Sequence, residues 1–242
     1  VIRGARSGLK LGQGQLEDYL WTSLLDTHCG CTMAATAENC AAKYGISREE
    51  QDAFAAASHQ RAAAAHKNGL FDNEIVPVEV PQRKGDPITV SEDEGVRGDT
   101  TADTLAKLRP AFDKAGNITA GNASQLSDGA SATLVMSAER AKQLNLKPLG
   151  IYRGSAVAGC GPEEMGIGPI FAVPKLLKRH GLTMRDIDIV ELNEAFASQL
   201  LHCQRVLEIP NEKLNPCGGS ISIGHPFGMT GSRLTGLLLR QL

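Results

Sequence analysis

The sequence has little that would mark it for a membrane, a polyanion or a disulfide framework. No apolar run approaches the roughly 20 residues that cross a bilayer, and the opening stretch VIRGARSGLK lacks the apolar core of a secretory signal. Neither charge sign is in excess. The 25 basic and 27 acidic side chains give a formal net charge of −2, a balance that does not suggest nucleic acid as a partner. No GxxxxGK[ST] or GxGxxG pattern occurs, which argues against a nucleotide cradle. There is no CxxC pair, and no histidine spacing completes a zinc site, so no metal is expected. The six cysteines, at 29, 31, 40, 160, 203 and 217, are expected to be reduced thiols in a cytosol-like compartment. Cys29 and Cys31 could form a redox pair, but incidental thiols are the preferred reading. The chain opens on Val1 rather than methionine, so the natural N-terminus, with any targeting segment, is expected to lie upstream.

What is present is a soluble composition, 42% hydrophobic over 242 residues, enough for one large or two smaller domains. Residues 1–35 read as a Gly-rich loop carrying Arg3, Arg6 and Lys10, and a helical pair follows. Ser47-Arg48-Glu49-Glu50 is a capping box at a helix start, and the Ala-rich run that it opens should stop near Asn68-Gly69. EIVPVEVPQRKGDPITV predicts short edge-type extended segments, because Pro77, Pro81 and Pro87 cannot donate to a ladder. Residues 91–128 read as mostly loop. From about residue 129 the pattern alternates. GASATLVMS, LGIYRGSAVAG, DIDIVEL and SISIG predict strands, while AERAKQL, GPIFAVPKLLKRHG and EAFASQLLHCQRVLE predict helices. The alternation points to an α/β layered sheet with helices on its faces.

Two residues stand out by position. Asn193 follows DIDIVEL and precedes a helix; His225 follows SISIG and precedes GMTGSRLTGLLLRQL. Open α/β sheets bind their ligands at such carboxyl ends of strands. A carboxamide there donates hydrogen bonds without adding charge, and a histidine exchanges a proton near neutral pH. The pair suits oxyanion stabilisation and activation of a thiol or hydroxyl. Plainer readings stand beside this one, Asn193 as a helix N-cap and His225 as a turn residue.

NEAFASQ at 193–199, GGSISIGHPFGMTGSR at 218–233 and GNASQLSDGAS at 121–131 resemble signatures of the thiolase family. TAENCAAKYGISREEQDAFAAAS, KLRPAFDKAGNITAGNAS and MGIGPI extend the likeness essentially from end to end. The resemblance implies a thiolase-like layered α/β/α architecture with an inserted loop domain. On that plan residues 1–125 are the loop domain, 126–148 the last part of the N-terminal half and 149–242 the C-terminal half.

The chemistry implied is CoA-dependent cleavage of a 3-ketoacyl-CoA to acyl-CoA plus acetyl-CoA, or the reverse Claisen condensation, through an acyl-cysteine. His225 matches the family's activating histidine and Asn193 the asparagine that holds a water donor at the oxyanion site. Arg97, Thr100, Ala120 and Ser124 match positions contacting coenzyme A; Met33, Phe112, Met165 and Phe196 match positions lining the pantetheine or acyl tunnel. A solvated arginine, a turn serine and ordinary core are their plainer readings. Coenzyme A and acyl-CoA are implied as substrates with no permanently bound cofactor, and a homodimer or homotetramer as the assembly. The compartment implied is the cytoplasm for a bacterial protein, mitochondrion or peroxisome for a eukaryotic one.

None of the six cysteines has the context of the family's nucleophile, which is expected before residue 1, or of its second catalytic cysteine, expected after Leu242. Cys217 in NPCGGS stands where many members carry asparagine and is not promoted to nucleophile. The residues around HCGCTMAAT favour the broad-range, degradative type. A thiolase-like acyl-CoA carrier and an unrelated α/β nucleotide-binding module remain as alternatives.

Overall fold

The computed structural model describes residues 8–12, 14 and 16–242, so Arg3 and Arg6 of the opening loop lie outside the described residues. The stretch read as loop carries a single helical segment, α1 (Tyr19–Ser23), because Asp18 accepts the Trp21 N–H at 3.0 Å and so caps it. Two longer helices follow as expected, α2 (Met33–Tyr44) and α3 (Arg48–Lys67). The capping box is formed. Ser47 Oγ accepts the Glu50 N–H at 3.2 Å, and Glu50 Oε2 accepts the Ser47 N–H at 3.0 Å. The helix stops at Asn68, with Gly69 at φ +70° just beyond it.

α3 is the spine of the molecule. Ala55, Ala56, Ala62 and Ala65 are all buried, Ala55 and Ala62 completely, so small side chains let neighbouring backbone come close on several sides. Gly218 shows how close. A Cβ there would lie 2.7 Å from the Ser58 carbonyl oxygen and 2.9 Å from the Ala62 nitrogen, and its φ is +80°. Any larger residue at 218 would push the glycine-rich stretch off the helix.

The Pro-rich segment forms an exposed antiparallel hairpin, β1 (Val78–Val80) with β2 (Ile88–Val90), in the register Val78 to Val90. It is the only sheet among the described residues. One helical turn, α4 (Ala102–Leu105), interrupts the loop over 91–128, capped by Thr101. AERAKQL supplies α5 (Ala138–Gln143), GPIFAVPKLLKRHG supplies α6 (Pro169–His180) ending at left-handed Gly181, and the helix after NEAF is α7 (Ala197–Leu207). A 3-10 helix, Pro162–Ile167, packs against both α2 and α7.

The expected strands depart from the sequence reading. GASATLVMS and LGIYRGSAVAG run without helix but pair in no ladder among the described residues, and DIDIVEL contributes one parallel bridge, Val190 to Leu214. A strand is defined by its partner, and apolar content alone supplies none. SISIG is not a strand at all: Ser220–Ile223 is a helical turn, α8, and the chain closes with α9 (Thr230–Gln241). The Ser/Ile alternation of period two suggested a strand. Glu194 overrides it by accepting the Ile221 N–H at 3.1 Å, while Gly219 O accepts the Ser222 and Ile223 N–H groups and closes the turn.

The unpaired segments keep their apolar side chains in water: Leu134 is 80% exposed and Val157 82%. At roughly 25 cal/mol per Å² such surface favours association. The isolated polypeptide is expected to sediment as concentration-dependent oligomers. A single monomeric species across a hundredfold concentration range would contradict this.

Candidate active site

α8 brings Asn193 and His225 to one place. Ser220, its first residue, donates its hydroxyl to Asn193 Oδ1 at 3.1 Å, which leaves the carboxamide N–H groups to donate elsewhere. Gly224 ends the same turn, which spans about 6 Å from Ser220, and His225 follows it. Gly224 has φ +106°, and a Cβ on it would lie 2.2 Å from Ser127 Oγ. Asn193 is not the cap of α7, whose N-cap is Phe196.

The loop GNAS is fastened to the same centre. Ser124 N–H donates to Ala195 O and Ala197 N–H to Asn122 O, both at 2.9 Å, and Ala123 bridges Phe196 antiparallel. Asn122, wholly buried, donates to Asp52 Oδ1 on α3 at 3.0 Å and accepts the Thr119 N–H at 2.8 Å. From α2, Glu38 accepts the N–H groups of Asn117 and Ile118. Ala120 and Ser124 are therefore held on the turn that pairs with NEAF. Phe112, about half exposed, lies farther along this loop, where Ala111 N–H donates to Ile118 O at 2.9 Å. Met33 opens α2, and Met165 belongs to the 3-10 helix packed on it.

Arg97 and Thr100 take another face of α3. The Arg97 N–H donates to His59 Nδ1 at 3.3 Å, and Thr100 O accepts from Gln60 Nε2 at 3.0 Å. Burial and the Arg97 charge hold the His59 imidazole below its usual range, which keeps Nδ1 an acceptor. Arg97 is exposed, whereas Thr100 is buried at 8%. A cavity of about 510 Å³ opens between α3 and residues 91–98, lined by His66, Lys67, Asp72 and Asp93. Neither His225 nor Asn193 borders it.

His225 is half-buried, with Nδ1 2.7 Å from Thr230 Oγ1 and its ring edge-on to Phe227 at 5.6 Å. Burial first, then the nearby Arg233 charge, lowers its pKa from the ordinary 6.5, so the imidazole is neutral at pH 7 and able to accept a proton. The thiols differ. Burial pushes Cys40 up to about 11 and Cys203 up to about 12, and raises Cys160 and Cys217 as well, so none of these four is a ready thiolate.

Sequence reasoning missed three residues that build this centre: Glu194, Ser220 and Thr230. Glu194 is completely buried and accepts from Ser58 Oγ at 2.6 Å, Asn215 Nδ2 at 2.9 Å and the Ile221 N–H. Burial pushes its carboxyl up against the opposing pull of those donors. A carboxylate directly after Asn193 was the available signal, and so were hydroxyls recurring at 220 and 230 around His225.

Comparison with known proteins identifies the family. Residues 2–139 match the thiolase N-terminal domain and residues 146–242 the thiolase C-terminal domain. The chain belongs to the thiolase family. It is 52% identical over 243 aligned positions to an acetyl-CoA acetyltransferase of Chromobacterium violaceum, and 50% identical to a probable acetyl-CoA acyltransferase of Staphylococcus aureus. In each case the match covers all of this chain and 62% of the relative, so this thiolase chain spans less than two thirds of their length. Human mitochondrial 3-ketoacyl-CoA thiolase in complex with CoA superposes with a TM-score of 0.92 at 46% identity, covering all of this chain and 60% of that one. The Bacillus anthracis acetyl-CoA acetyltransferase gives 0.91 at 43% identity, covering 98% of this chain and 60% of that one. The thiolase-like α/β architecture expected from the sequence is thus the fold of this chain.

Next to the site lies a second buried carboxyl. Glu191 accepts from Gln241 Nε2 at 2.8 Å, while its other oxygen has no partner, and burial pushes its pKa from 4.5 up to about 7. Between those values the folded thiolase holds a proton that the unfolded chain has lost, so stability falls as pH rises through that window. The Glu191→Gln variant should remove that fall, worth on the order of 3 kcal/mol at most. Denaturant unfolding at pH 5 and pH 8 measures it; an unchanged pH dependence would rule the effect out.

Proposed function

We propose that this chain takes part in CoA-dependent acyl transfer of the thiolase type, cleavage of a 3-ketoacyl-CoA or the reverse Claisen condensation. The observation that carries the reading is the joining of His225 and Asn193 through α8, beside the Ser124 turn. In this reading His225 takes the proton of a cysteine thiol, and the thiolate attacks the ketone carbonyl. The C2–C3 bond of the substrate then breaks, and the departing acetyl-CoA enolate takes up a proton. A second CoA thiol next removes the acyl group from the cysteine. Asn193, through its free N–H groups and a held water, together with His225 stabilises the oxygen on which charge develops. The nucleophilic cysteine is not one of the six in this sequence.

The ligand is coenzyme A. Ser124 and Ala120 on the paired turn support contact along the pantetheine arm, and exposed Arg97 supports contact with the phosphate end, with Thr100 behind it. Met33, Met165, Phe112 and Phe196 would line the acyl side, and the HCGCTMAAT stretch favours acyl chains beyond four carbons. The assembly proposed is a homodimer or homotetramer.

Calorimetry should show acetyl-CoA binding to this chain and no comparable binding of NAD. The reverse preference would sink the reading. Arg97→Ala should weaken acetyl-CoA binding severalfold and His225→Ala should leave it nearly unchanged. In a polypeptide uniting this sequence with the family's nucleophilic cysteine, His225→Ala should lower kcat on the order of 10³-fold, and Asn193→Ala by tens to a few hundredfold. Acetyl-CoA binding with no turnover in that polypeptide would mark an acyl-CoA carrier instead.

A further inference from the structure

We infer that Thr230 is a positioning residue that fixes the tautomer of His225, holding the ring proton on Nδ1 and leaving the lone pair on Nε2. Thr230 Oγ1 lies 2.7 Å from His225 Nδ1 and also 2.7 Å from the Pro226 carbonyl oxygen. Contacts that short between polar heavy atoms need a proton between them. There are two contacts and the threonine hydroxyl has one proton. The Pro226 carbonyl has none to give, so the hydroxyl donates to it. The proton in the other contact therefore comes from the imidazole, and Nδ1–H donates to Thr230 Oγ1.

The surroundings fix the hydroxyl in this role. Thr230 is 2% exposed and is the first residue of α9, whose opening turn folds back on Pro226 O through the Thr230 N–H at 3.2 Å. Water does not compete at a side chain buried to that degree, and its bond to Pro226 O holds the hydroxyl in place. Burial, and after it the positive charge of Arg233 three residues on, lowers the ring's pKa, so the ring rests neutral with Nε2 free to accept a proton from a thiol. One end of α9 thus acts on His225 twice. The assignment deepens the acyl-transfer reading, on which its meaning for catalysis rests: a base at Nε2 is ready before any substrate arrives.

The test needs no turnover. In the chain labelled with 15N-histidine, long-range 1H–15N spectra at pH 7.5 should show a pyrrole-type Nδ1 and a pyridine-type Nε2 for His225. Thr230→Ser should keep that pattern, because it keeps the hydroxyl. Thr230→Val removes the acceptor and should move the signals at least halfway toward the opposite tautomer. A wild-type spectrum with Nε2 protonated would overturn the inference, and so would a valine variant with wild-type shifts. The wild-type spectrum alone decides where the valine variant does not fold. Failure to bind acetyl-CoA with the expected tautomer intact would overturn the acyl-transfer reading and leave this assignment standing.

Discussion

The carboxylate of Glu194 is the interaction on which the candidate site depends. It sits where no water reaches and collects donors from three separate places: Ser58 on α3, Asn215 on the loop before the glycines, and the Ile221 N–H of α8. Asn215 in turn exchanges two hydrogen bonds with the backbone of Leu192, one residue before Asn193. A buried acceptor left without these donors, or the donors without it, would cost 1–3 kcal/mol per group. The arrangement is consequently all or none. α3, the NEAF turn and α8 keep one relative placement because any other leaves a carboxylate unsatisfied in an apolar interior.

The glycine-rich stretch follows from that constraint. Gly218 brings the chain against α3 at a distance only a hydrogen side chain allows, and Gly224 releases it in a direction closed to other residues. Between them there is room for a single turn. That turn carries Ser220 to Asn193 at one end and leads into His225 at the other, so the length of the motif helps set how far apart the two candidate residues lie.

Legibility in the sequence followed the range of the interaction responsible. The capping box at Ser47, the stop at Gly69 and the glycine end of α6 rest on contacts within four residues, and all lie where the sequence put them. The edge character of residues 78–90 was legible because proline removes donors locally. SISI was misread because a carboxylate 27 residues upstream in sequence decides its conformation. The stretches at 129–137 and 149–159 were misread for the related reason that strand identity belongs to a pair of segments. Asn193 and His225 were visible as unusual residues at element ends. Glu194, Ser220 and Thr230 were not, since each matters only through a partner that folding brings alongside.

The bridge between Ala123 and Phe196 joins regions that the family patterns assign to different domains, residues 2–139 and 146–242. Its two main-chain hydrogen bonds run across the boundary beside Asn193. A boundary stitched in this way is a seam and not a hinge. Jaw-like opening of the two regions would have to break both hydrogen bonds next to Asn193 before the two could separate.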